Sequence, residues 1–330
     1  MNEGKEETMK HSSVVRRAAA IAAIATLLCI SASAPAQTPT RLRVSIIPIV
    51  DTAPLFAAIK QGYFAEQGLV VDTTPIVGGA AGIPGAIAGV YDVVYTNIVS
   101  TLLAKSEGLD LRIVASGSPA GVKPPDTAGL IKRKADTFKT GADLNGKVIG
   151  VNGRNNINWL FAAAWIRKTG GDPSKVQYRE VPFPQMVDAV KTRQVDVAHA
   201  VDPFLANGLR DPALEILGWP FSHVLPGIRA AQWVVAGETA DKRPEVVRRW
   251  VRALRKGADW LNANNGTAPF YALIADYSKL EPERIKAMNL RTISTENDVP
   301  AMRALSALMV EHGMMKQAVD PAAMVFDTPR

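Results

Sequence analysis

Cysteine is nearly absent from this sequence, because Cys29 is the only one in 330 residues. A fold held together by disulfides is therefore excluded. Histidine is scarce as well, and His199, His223 and His312 are not spaced as metal ligands, which argues against a zinc site. With 47% hydrophobic and 21% charged residues, the chain is neither collagen-like nor disordered. We therefore expect a compact protein that depends on its hydrophobic core.

The apolar run near the N-terminus is too short to cross a membrane. It extends over Ala18 to Ile30, whereas a membrane-spanning helix needs about 20 apolar residues. Arg16 and Arg17 precede the run and Ala34-Pro35-Ala36 follows it, an order typical of a secretory signal peptide. We predict cleavage after about Ala36 and a soluble periplasmic protein without cysteine. The arginine pair can also be read as a twin-arginine signal, so the export route stays open.

Motifs of nucleic-acid binders and of common enzymes are missing too. The net charge of +7 is spread along the chain without a block of interleaved basic and aromatic residues, so no nucleic-acid partner is expected. No serine lies in a G-x-S-x-G motif. Gly141 to Lys147 has the spacing of a phosphate-binding loop, but Val148 follows it and begins a predicted strand. We expect no enzymatic activity, no cofactor and no metal.

The remaining chain alternates between strand and helix patterns, which predicts an α/β fold with mainly parallel sheets. Two helix patterns stand out by their apolar spacing, one from Ile157 to Trp165 and one that begins at Pro244. After the second pattern we predict helices only. The predicted strands are 42–47, 69–71, 92–95, 111–114, 147–151, 176–178, 195–198 and 231–235.

The order of these elements predicts two lobes joined by two crossings. We assign residues 1–36 to the signal peptide, 37–125 to the first part of lobe 1, 126–228 to lobe 2, and 229–330 to the return into lobe 1 and the C-terminal helices. The crossings are predicted near residues 120–131 and 226–236. Two crossings form a hinge over a cleft, and we expect a monomer that closes on a ligand.

Four segments carry a resemblance to a known family. They are Ile47 to Phe64, Gly78-Gly79-Ala80-Ala81, Asp92 to Asn97, and Asp143 to Val151. The mature chain resembles the nitrate/sulfonate/taurine family of solute-binding proteins of ABC importers. This resemblance implies a type II periplasmic-binding-protein fold, a small organic solute as ligand, and a membrane permease as partner.

Candidate ligand-binding residues follow from the rule that ligands bind at the carboxyl ends of the strands in open α/β sheets. Free N–H groups at helix N-termini and the guanidinium of Arg154 would favour an anion such as a sulfonate, whereas Asp51 and Asp202 would favour a ligand that also carries an amine. The full set is Asp51, Thr52, Gly78, Gly79, Ala80, Thr96, Asn97, Ser116, Ser118, Arg154, Asn155, Asn156, Asp202 and Trp233.

Several of these residues have a structural alternative. Asp51, Asn97 and Asp202 can each cap a helix, Arg154 can be an ordinary surface residue, and Trp233 can belong to the core. Two functional alternatives also stay open. One is an enzyme on the same scaffold, like the pyrimidine-precursor synthases of thiamine biosynthesis, although those are cytosolic and carry a cysteine-rich motif. The other is a binding protein that reports to a membrane sensor.

Overall fold

The computed structural model describes residues 38–289 and 291–328. The predicted signal peptide lies outside the described residues. From Pro39 onward the chain forms one compact unit. Within its described part, no helix is both long enough and apolar enough to cross a membrane.

Two five-stranded sheets organise the described chain. The strands are β1 (Thr40–Ile46), β2 (Leu69–Pro75), β3 (Val93–Asn97), β4 (Leu111–Ser116), β5 (Ala128–Arg133), β6 (Val148–Val151), β7 (Gln177–Glu180), β8 (Val197–Val201), β9 (Leu214–Gly218) and β10 (Ala231–Ala236). Sheet 1 has the order β2-β1-β3-β10-β4, and sheet 2 has the order β7-β6-β8-β5-β9.

The two sheets have the same topology. In each, four strands run in one direction and one runs antiparallel, β10 in sheet 1 and β5 in sheet 2. Each antiparallel strand is the first one the chain forms after leaving the other sheet. Mainly parallel strand direction is thus confirmed. Below, lobe 1 means sheet 1 with the helices packed on it, and lobe 2 means sheet 2 with its helices.

Helices cover these sheets. They are α1 (Ala53–Lys60), α2 (Tyr63–Glu66), α3 (Gly79–Ile87), α4 (Ile98–Ser106), α5 (Ile157–Lys168), α6 (Met186–Lys191), α7 (Phe204–Gly208), α8 (Pro220–Val224), α9 (Gly237–Lys242), α10 (Pro244–Ala263), α11 (Ala268–Ser278), α12 (Pro282–Ile285) and α13 (Val299–Glu311). The predicted apolar faces of α5 and α10 are buried, which confirms both helices. Gly257 lets α10 pack tightly on α1, because a Cβ there would lie 2.1 Å from the carbonyl oxygen of Pro54.

The sequence did not predict strands β5 and β9. The inner strand β5 ends in Lys132 and Arg133, which are buried in the structure but, being charged, do not look like strand-core residues in the sequence. Asp136 is a nearby partner of both residues, and their further partners lie far along the chain. The ammonium of Lys132 donates to Glu215 Oε1 at 2.6 Å, and the guanidinium of Arg133 donates to the carbonyl oxygens of Val190 and Val195. A strand whose charged residues depend on such distant partners cannot be recognised from the neighbouring sequence.

The expectation of an entirely helical C-terminal region is wrong. Between α12 and α13, the described residues 286–289 and 291–298 form neither helix nor strand. This irregular segment returns to the junction of the two lobes. The side chain of Asn289 donates to the carbonyl oxygen of Asp126 at 2.7 Å, at the end of the link between β4 and β5. The lobe boundaries as limits of independent movement stay a prediction.

Candidate functional site

A cavity lies between the two sheets. It is formed at the carboxyl ends of β1, β3, β6 and β8 and at the amino ends of the antiparallel strands β5 and β10, as the strand-end rule predicts. Both lobes contribute to its wall. The lining residues are Ile47, Ile49, Val50, Asp51, Tyr95, Thr96, Asn97, Thr127, Ala128, Asn152, Asn156, Ile157, Asn158, Phe183, Val201, Asp202, Phe221, Ala230, Ala231 and Arg291.

Asp202 is the most distinctive polar group of this cavity. It follows β8 directly and is buried. Its Oδ1 accepts the backbone N–H of Ala206 at 3.0 Å, so the predicted capping role is confirmed. Its Oδ2 is buried and has no hydrogen-bond partner within the described chain. Burial raises the pKa of Asp202 to about 7, and the backbone N–H of Ala206, the charge of Arg291 and the nearby backbone N–H of Asn289 oppose that rise.

Asp51 faces the cavity from lobe 1. Its carboxylate caps no helix, because the side chains of the capping residues around α1 make no such bond and Asp51 lies inside a short 3₁₀ helix. Its Oδ1 lies 3.9 Å from Nη2 of Arg291. Burial raises the pKa of Asp51, while the positive charge of Arg291 counteracts part of that rise.

Arg291 is the cation that sequence reasoning missed. It comes from the irregular segment after α12, and it donates to the carbonyl oxygen of Pro119 and, at 2.5 Å, to Oγ1 of Thr127. It also lies 3.6 Å from Asp126, a fully buried carboxylate that accepts the backbone N–H groups of Gly121 and Thr127. No local pattern signals this role, since the position of Arg291 depends on tertiary packing alone.

The charge balance around the cavity is acidic. Asp51, Asp126 and Asp202 surround the single guanidinium of Arg291, and Arg229 adds a second, more distant positive charge near Asp51. Arg229 donates to the carbonyl oxygen of Gly117 at 3.1 Å. Asp202 has no cation within 4 Å among the described residues. Its free oxygen is therefore suited to accept a hydrogen bond from a donor on a ligand.

Two hydroxyl groups add to the unpartnered polar atoms. The hydroxyl of Tyr95 and Oγ1 of Thr96 are buried, line the cavity, and have no hydrogen-bond partner among the described residues. Burial and the nearby negative charge of Asp51 raise the pKa of Tyr95, so its hydroxyl stays protonated. These two groups can each donate or accept a hydrogen bond.

Asparagine side chains connect the lobes at the cavity wall. Asn97 caps α4 by accepting the N–H of Ser100 at 3.0 Å, and Asn156 caps α5 by accepting the N–H of Trp159 at 3.0 Å. Oδ1 of Asn97 also accepts the N–H of Ile157 across the interface at 3.3 Å. The predicted free helix N-termini are thus partly satisfied by their own caps. Asn152 and Asn158 also line the cavity and were not predicted.

Glycines at the start of α3 serve packing rather than ligand approach. A Cβ on Gly79 would lie 2.4 Å from the Cα of Thr96, so the missing side chain lets α3 pack against β3. Gly78 approaches the carbonyl oxygen of Asn152, and Ala80 is exposed. None of the three lines the cavity.

Four further predicted residues lie in the core beside the cavity. The Thr52 hydroxyl bonds to the carbonyl oxygens of Ile47 and Ile49. Ser116 donates to Asn297 Oδ1, and Ser118 Oγ accepts the N–H of Ser294. Trp233 packs against Tyr95 and Trp250, which fits the core alternative. Their polar groups are already used within the chain, so the structure places Thr52, Ser116, Ser118 and Trp233 behind the wall.

Arg154 and Asn155 lie in a different place. They border an open groove beside the edge strand β7, which we call the edge groove. The guanidinium of Arg154 donates to the carbonyl oxygen of Tyr178 at 2.8 Å, and its backbone N–H donates to Glu180 Oε1 at 2.8 Å. Because the chain holds Arg154 against β7, the predicted anion contact does not lie in the cavity. Other residues of the edge groove are Trp159, Gln177 and Arg179.

Of the 14 predicted residues, the structure brings five together in one cavity. They are Asp51, Thr96, Asn97, Asn156 and Asp202. Within the described residues, no group of three or more histidine, cysteine, aspartate or glutamate side chains could hold a metal ion.

Comparison with known proteins adds to this geometry. The chain is 21% identical over 237 residues to a Brachyspira hyodysenteriae protein whose name describes an ABC transporter periplasmic binding protein. It is 30% identical over 224 residues to the formylaminopyrimidine-binding protein of Halalkalibacterium halodurans. These matches cover 69% and 64% of this chain, and 67% and 62% of the relatives, so the chain spans about two thirds of their length.

Solved structures show the same fold. The alkanesulfonate-binding protein SsuA from Xanthomonas axonopodis pv. citri, bound to MOPS, aligns with a TM-score of 0.75 at 17% identity. The alignment covers 87% of this chain and 98% of SsuA. The predicted periplasmic-binding-protein fold is therefore confirmed. A family model described as NMT1/THI5 like matches residues 49–268. Because this model matches more than half of the chain, the chain belongs to the NMT1/THI5-like family.

Proposed function

We propose that this protein is the solute-binding component of an ABC importer. The observation that carries this proposal is the cavity between the lobes, where Tyr95, Thr96 and Asp202 present buried polar atoms without partners among the described residues. Unsatisfied buried polar groups are costly, and a ligand that bonds to groups from both lobes would favour the closed arrangement. Binding would then couple to closure of the hinge.

The acidic cavity favours a solute that carries hydrogen-bond donors. A sulfonate or nitrate would place negative charge beside Asp202, whose Oδ2 already lacks a donor. An amino group on a neutral or cationic ring, or the amine end of a zwitterion, would instead bond to this oxygen. We therefore propose a small amino-substituted heterocycle or amine. One relative is named as a binder of formylaminopyrimidine, and such a ring has this chemistry.

The proposal includes export and delivery without catalysis. The predicted leader up to about Ala36 would direct the chain to the periplasm, where a monomer would pass its solute to a membrane permease. Relatives named as periplasmic binding proteins support this placement.

A solute screen tests this function. The chain would be expressed with its own N-terminus, purified as processed, and assayed for thermal shifts with amino-pyrimidines, amines, amino-sulfonates, sulfonates, nitrate and aromatic carboxylates. A solute at 100 times its Kd should stabilise the protein by about 2.7 kcal/mol. We expect stabilisation by donor-bearing solutes, with compaction in X-ray scattering. Stabilisation by sulfonates or nitrate alone would contradict the proposed solute class, and no compaction with any hit would contradict closure.

A further inference from the structure

The carboxyl group of Asp202 has one oxygen without a donor in the described chain. The residue is only 3% exposed, and its Oδ2 accepts no hydrogen bond from the residues that the structure describes. Its backbone carbonyl oxygen accepts the N–H of Val50 at 3.2 Å, so Asp202 lies where lobe 2 meets lobe 1. An ionised carboxylate at such a position loses the water that stabilises its charge and gains no partner in return. Without a ligand, this environment therefore favours protonated Asp202.

The nearest positive charge is shared with other carboxyl groups. Arg291 is the only cationic side chain among the described residues that line the cavity. It lies 3.9 Å from Asp51 and 3.6 Å from Asp126, whereas Asp202 has no cation within 4 Å in the described chain. Because one guanidinium cannot balance three carboxylates, ionisation of Asp202 would leave an excess of negative charge between the lobes.

The remaining titratable groups around Asp202 add no positive charge. His199, on the strand that precedes Asp202, is neutral at pH 6 to 8 because burial lowers its pKa to about 4. Tyr95 stays protonated, and Arg229 acts on Asp51 rather than on Asp202. Besides burial, the negative charge of Asp126 raises the pKa of Asp202. One further positive charge is therefore what the ionised form of Asp202 lacks.

A cationic solute would supply this charge. A positively charged group with an N–H beside Oδ2 of Asp202 provides both the hydrogen bond and the opposite charge that the carboxylate lacks. A neutral amino ring provides only the hydrogen bond, and an anion provides neither. Between the lobes, the attraction between solute and carboxylate is also screened less by water than it would be at the surface.

We propose that the solute binds as a cation and that Asp202 releases its proton when the solute binds. This inference rests on the proposed function and narrows its solute class from donor-bearing to positively charged. The O–H bond of the carboxyl group breaks, the proton passes to the buffer, and an ion pair between solute and carboxylate remains. The net charge between the lobes stays the same, since one positive charge replaces another.

Calorimetry with two probes tests this inference. The probe 4-aminopyridine is a cation at pH 6 to 8, whereas 2-aminopyrimidine is a neutral ring of the same size with the same amino group. Titration at pH 6 in two buffers with different ionisation enthalpies counts the protons released. We expect release of about one proton per 4-aminopyridine and an affinity that rises about tenfold from pH 6 to pH 8, because the pKa of Asp202 is about 7 without ligand. The neutral probe should release no proton and bind about tenfold more weakly at pH 8.

Asp202→Asn is the test variant, and Asp211→Asn is its matched control. The two aspartates each accept a backbone N–H at 3.0 Å, from Ala206 and from Ala213. Asp211 lies outside the cavity and pairs with Lys191 at 2.8 Å. An amide oxygen at position 202 can still accept the N–H of Ala206, so the fold is retained. Asp202→Asn should bind 4-aminopyridine more weakly, without proton release and without the rise in affinity with pH, whereas Asp211→Asn should behave as the unaltered chain does.

The outcomes separate this inference from the proposed function. Binding of 4-aminopyridine without proton release overturns the inference, as does proton release that persists in Asp202→Asn, while solute binding by the cavity stands. Tighter binding of 2-aminopyrimidine than of 4-aminopyridine overturns the positive charge of the solute and also leaves the function in place. If neither probe binds, the inference is overturned as well, and the broader solute screen decides separately on the function.

Discussion

The cavity and the edge groove differ in whether their charged side chains have hydrogen-bond partners within the described chain. In the edge groove, Arg154 and Arg179 both donate to backbone carbonyl oxygens of their own chain, those of Tyr178 and Gln194. In the cavity, Asp202 keeps a buried oxygen without a partner in the described residues. The edge groove is open to water, whereas the cavity is enclosed between the lobes.

Arg154, a basic residue before a helix and a predicted ligand contact, thus lies outside the cavity that we propose as the binding site. A charge at the surface is screened by solvent and is readily satisfied by nearby carbonyl groups, so it contributes little to recognition. A charge in a desolvated cavity must find a partner or change its protonation state. Burial and unpartnered polar atoms therefore favour the cavity over the edge groove as the candidate binding site.

Arg291→Ala, in the cavity, should lower the free energy of unfolding far more than a substitution in the edge groove does. The substitution leaves Asp51, Asp126 and Asp202 without their nearest cation, and such a loss typically costs about 3–5 kcal/mol. Urea unfolding at pH 8 measures the free energy of unfolding. Arg154→Ala serves as the control, and we expect it to cost less than about 1 kcal/mol. Equal losses for the two variants would contradict the assigned role of Arg291.

The cavity should contribute one distinct part of the pH dependence of stability, through Asp202. The pKa of Asp202 rises from 3.8 in the unfolded chain to about 7 in the folded protein, so the folded state binds more protons between these values. The contribution of Asp202 to stability is then greatest at low pH and falls as pH rises to 7, by up to about 1.4 kcal/mol per pH unit for one proton.

Asp202→Asn should remove this dependence and make the ligand-free protein more stable than the original at pH 8. Denaturant unfolding of both proteins from pH 4 to pH 8 measures the effect. The buried His199, whose pKa falls to about 4, contributes equally to both proteins and cancels in the difference. If the free energies of unfolding of the two proteins changed with pH in parallel, a raised pKa of Asp202 in the folded protein would be contradicted.

Substitutions of two threonines distinguish the cavity wall, which contains Thr96, from the core behind it, which contains Thr52. Thr96→Val removes a cavity hydroxyl without a partner, so we expect affinity for the best solute of the screen to fall about three- to tenfold at unchanged stability. Thr52→Val removes a hydroxyl that bonds to the carbonyl oxygens of Ile47 and Ile49, so stability should fall by about 1 kcal/mol at unchanged affinity. Calorimetry measures the affinity of both variants, and urea unfolding measures their stability. A loss of stability in Thr96→Val together with a loss of affinity in Thr52→Val would contradict the placement of Thr96 in the cavity wall and of Thr52 in the core.

The smallest effect is expected in the edge groove. Arg154→Ala should change solute affinity less than twofold, because the guanidinium lies outside the cavity and donates to Tyr178. The measurement is a calorimetric titration with the same solute. A tenfold loss of affinity would restore Arg154 as a ligand contact.

Local patterns predicted much of the fold but only part of the site. Helices α5 and α10 were predictable because their apolar residues recur on one buried face. Asp51 and Asp202 were predictable because they follow strands whose ends meet at one edge. Strand β5 was not, since Lys132 and Arg133 interrupt its apolar pattern and, besides the nearby Asp136, their partners Val190, Val195 and Glu215 lie 57 to 83 residues away. Arg291 was not either, because it reaches the cavity from an irregular segment.

The most direct test of the cavity as the binding site is one calorimetric comparison at pH 8. The best solute of the screen is titrated into the unaltered chain, Asp202→Asn and Arg154→Ala. A hydrogen bond to a charged group is worth about 1.5–3 kcal/mol, so Asp202→Asn should bind about 10- to 100-fold more weakly. Arg154→Ala should bind as the unaltered chain does. Loss of binding in Arg154→Ala with full binding in Asp202→Asn would contradict the account.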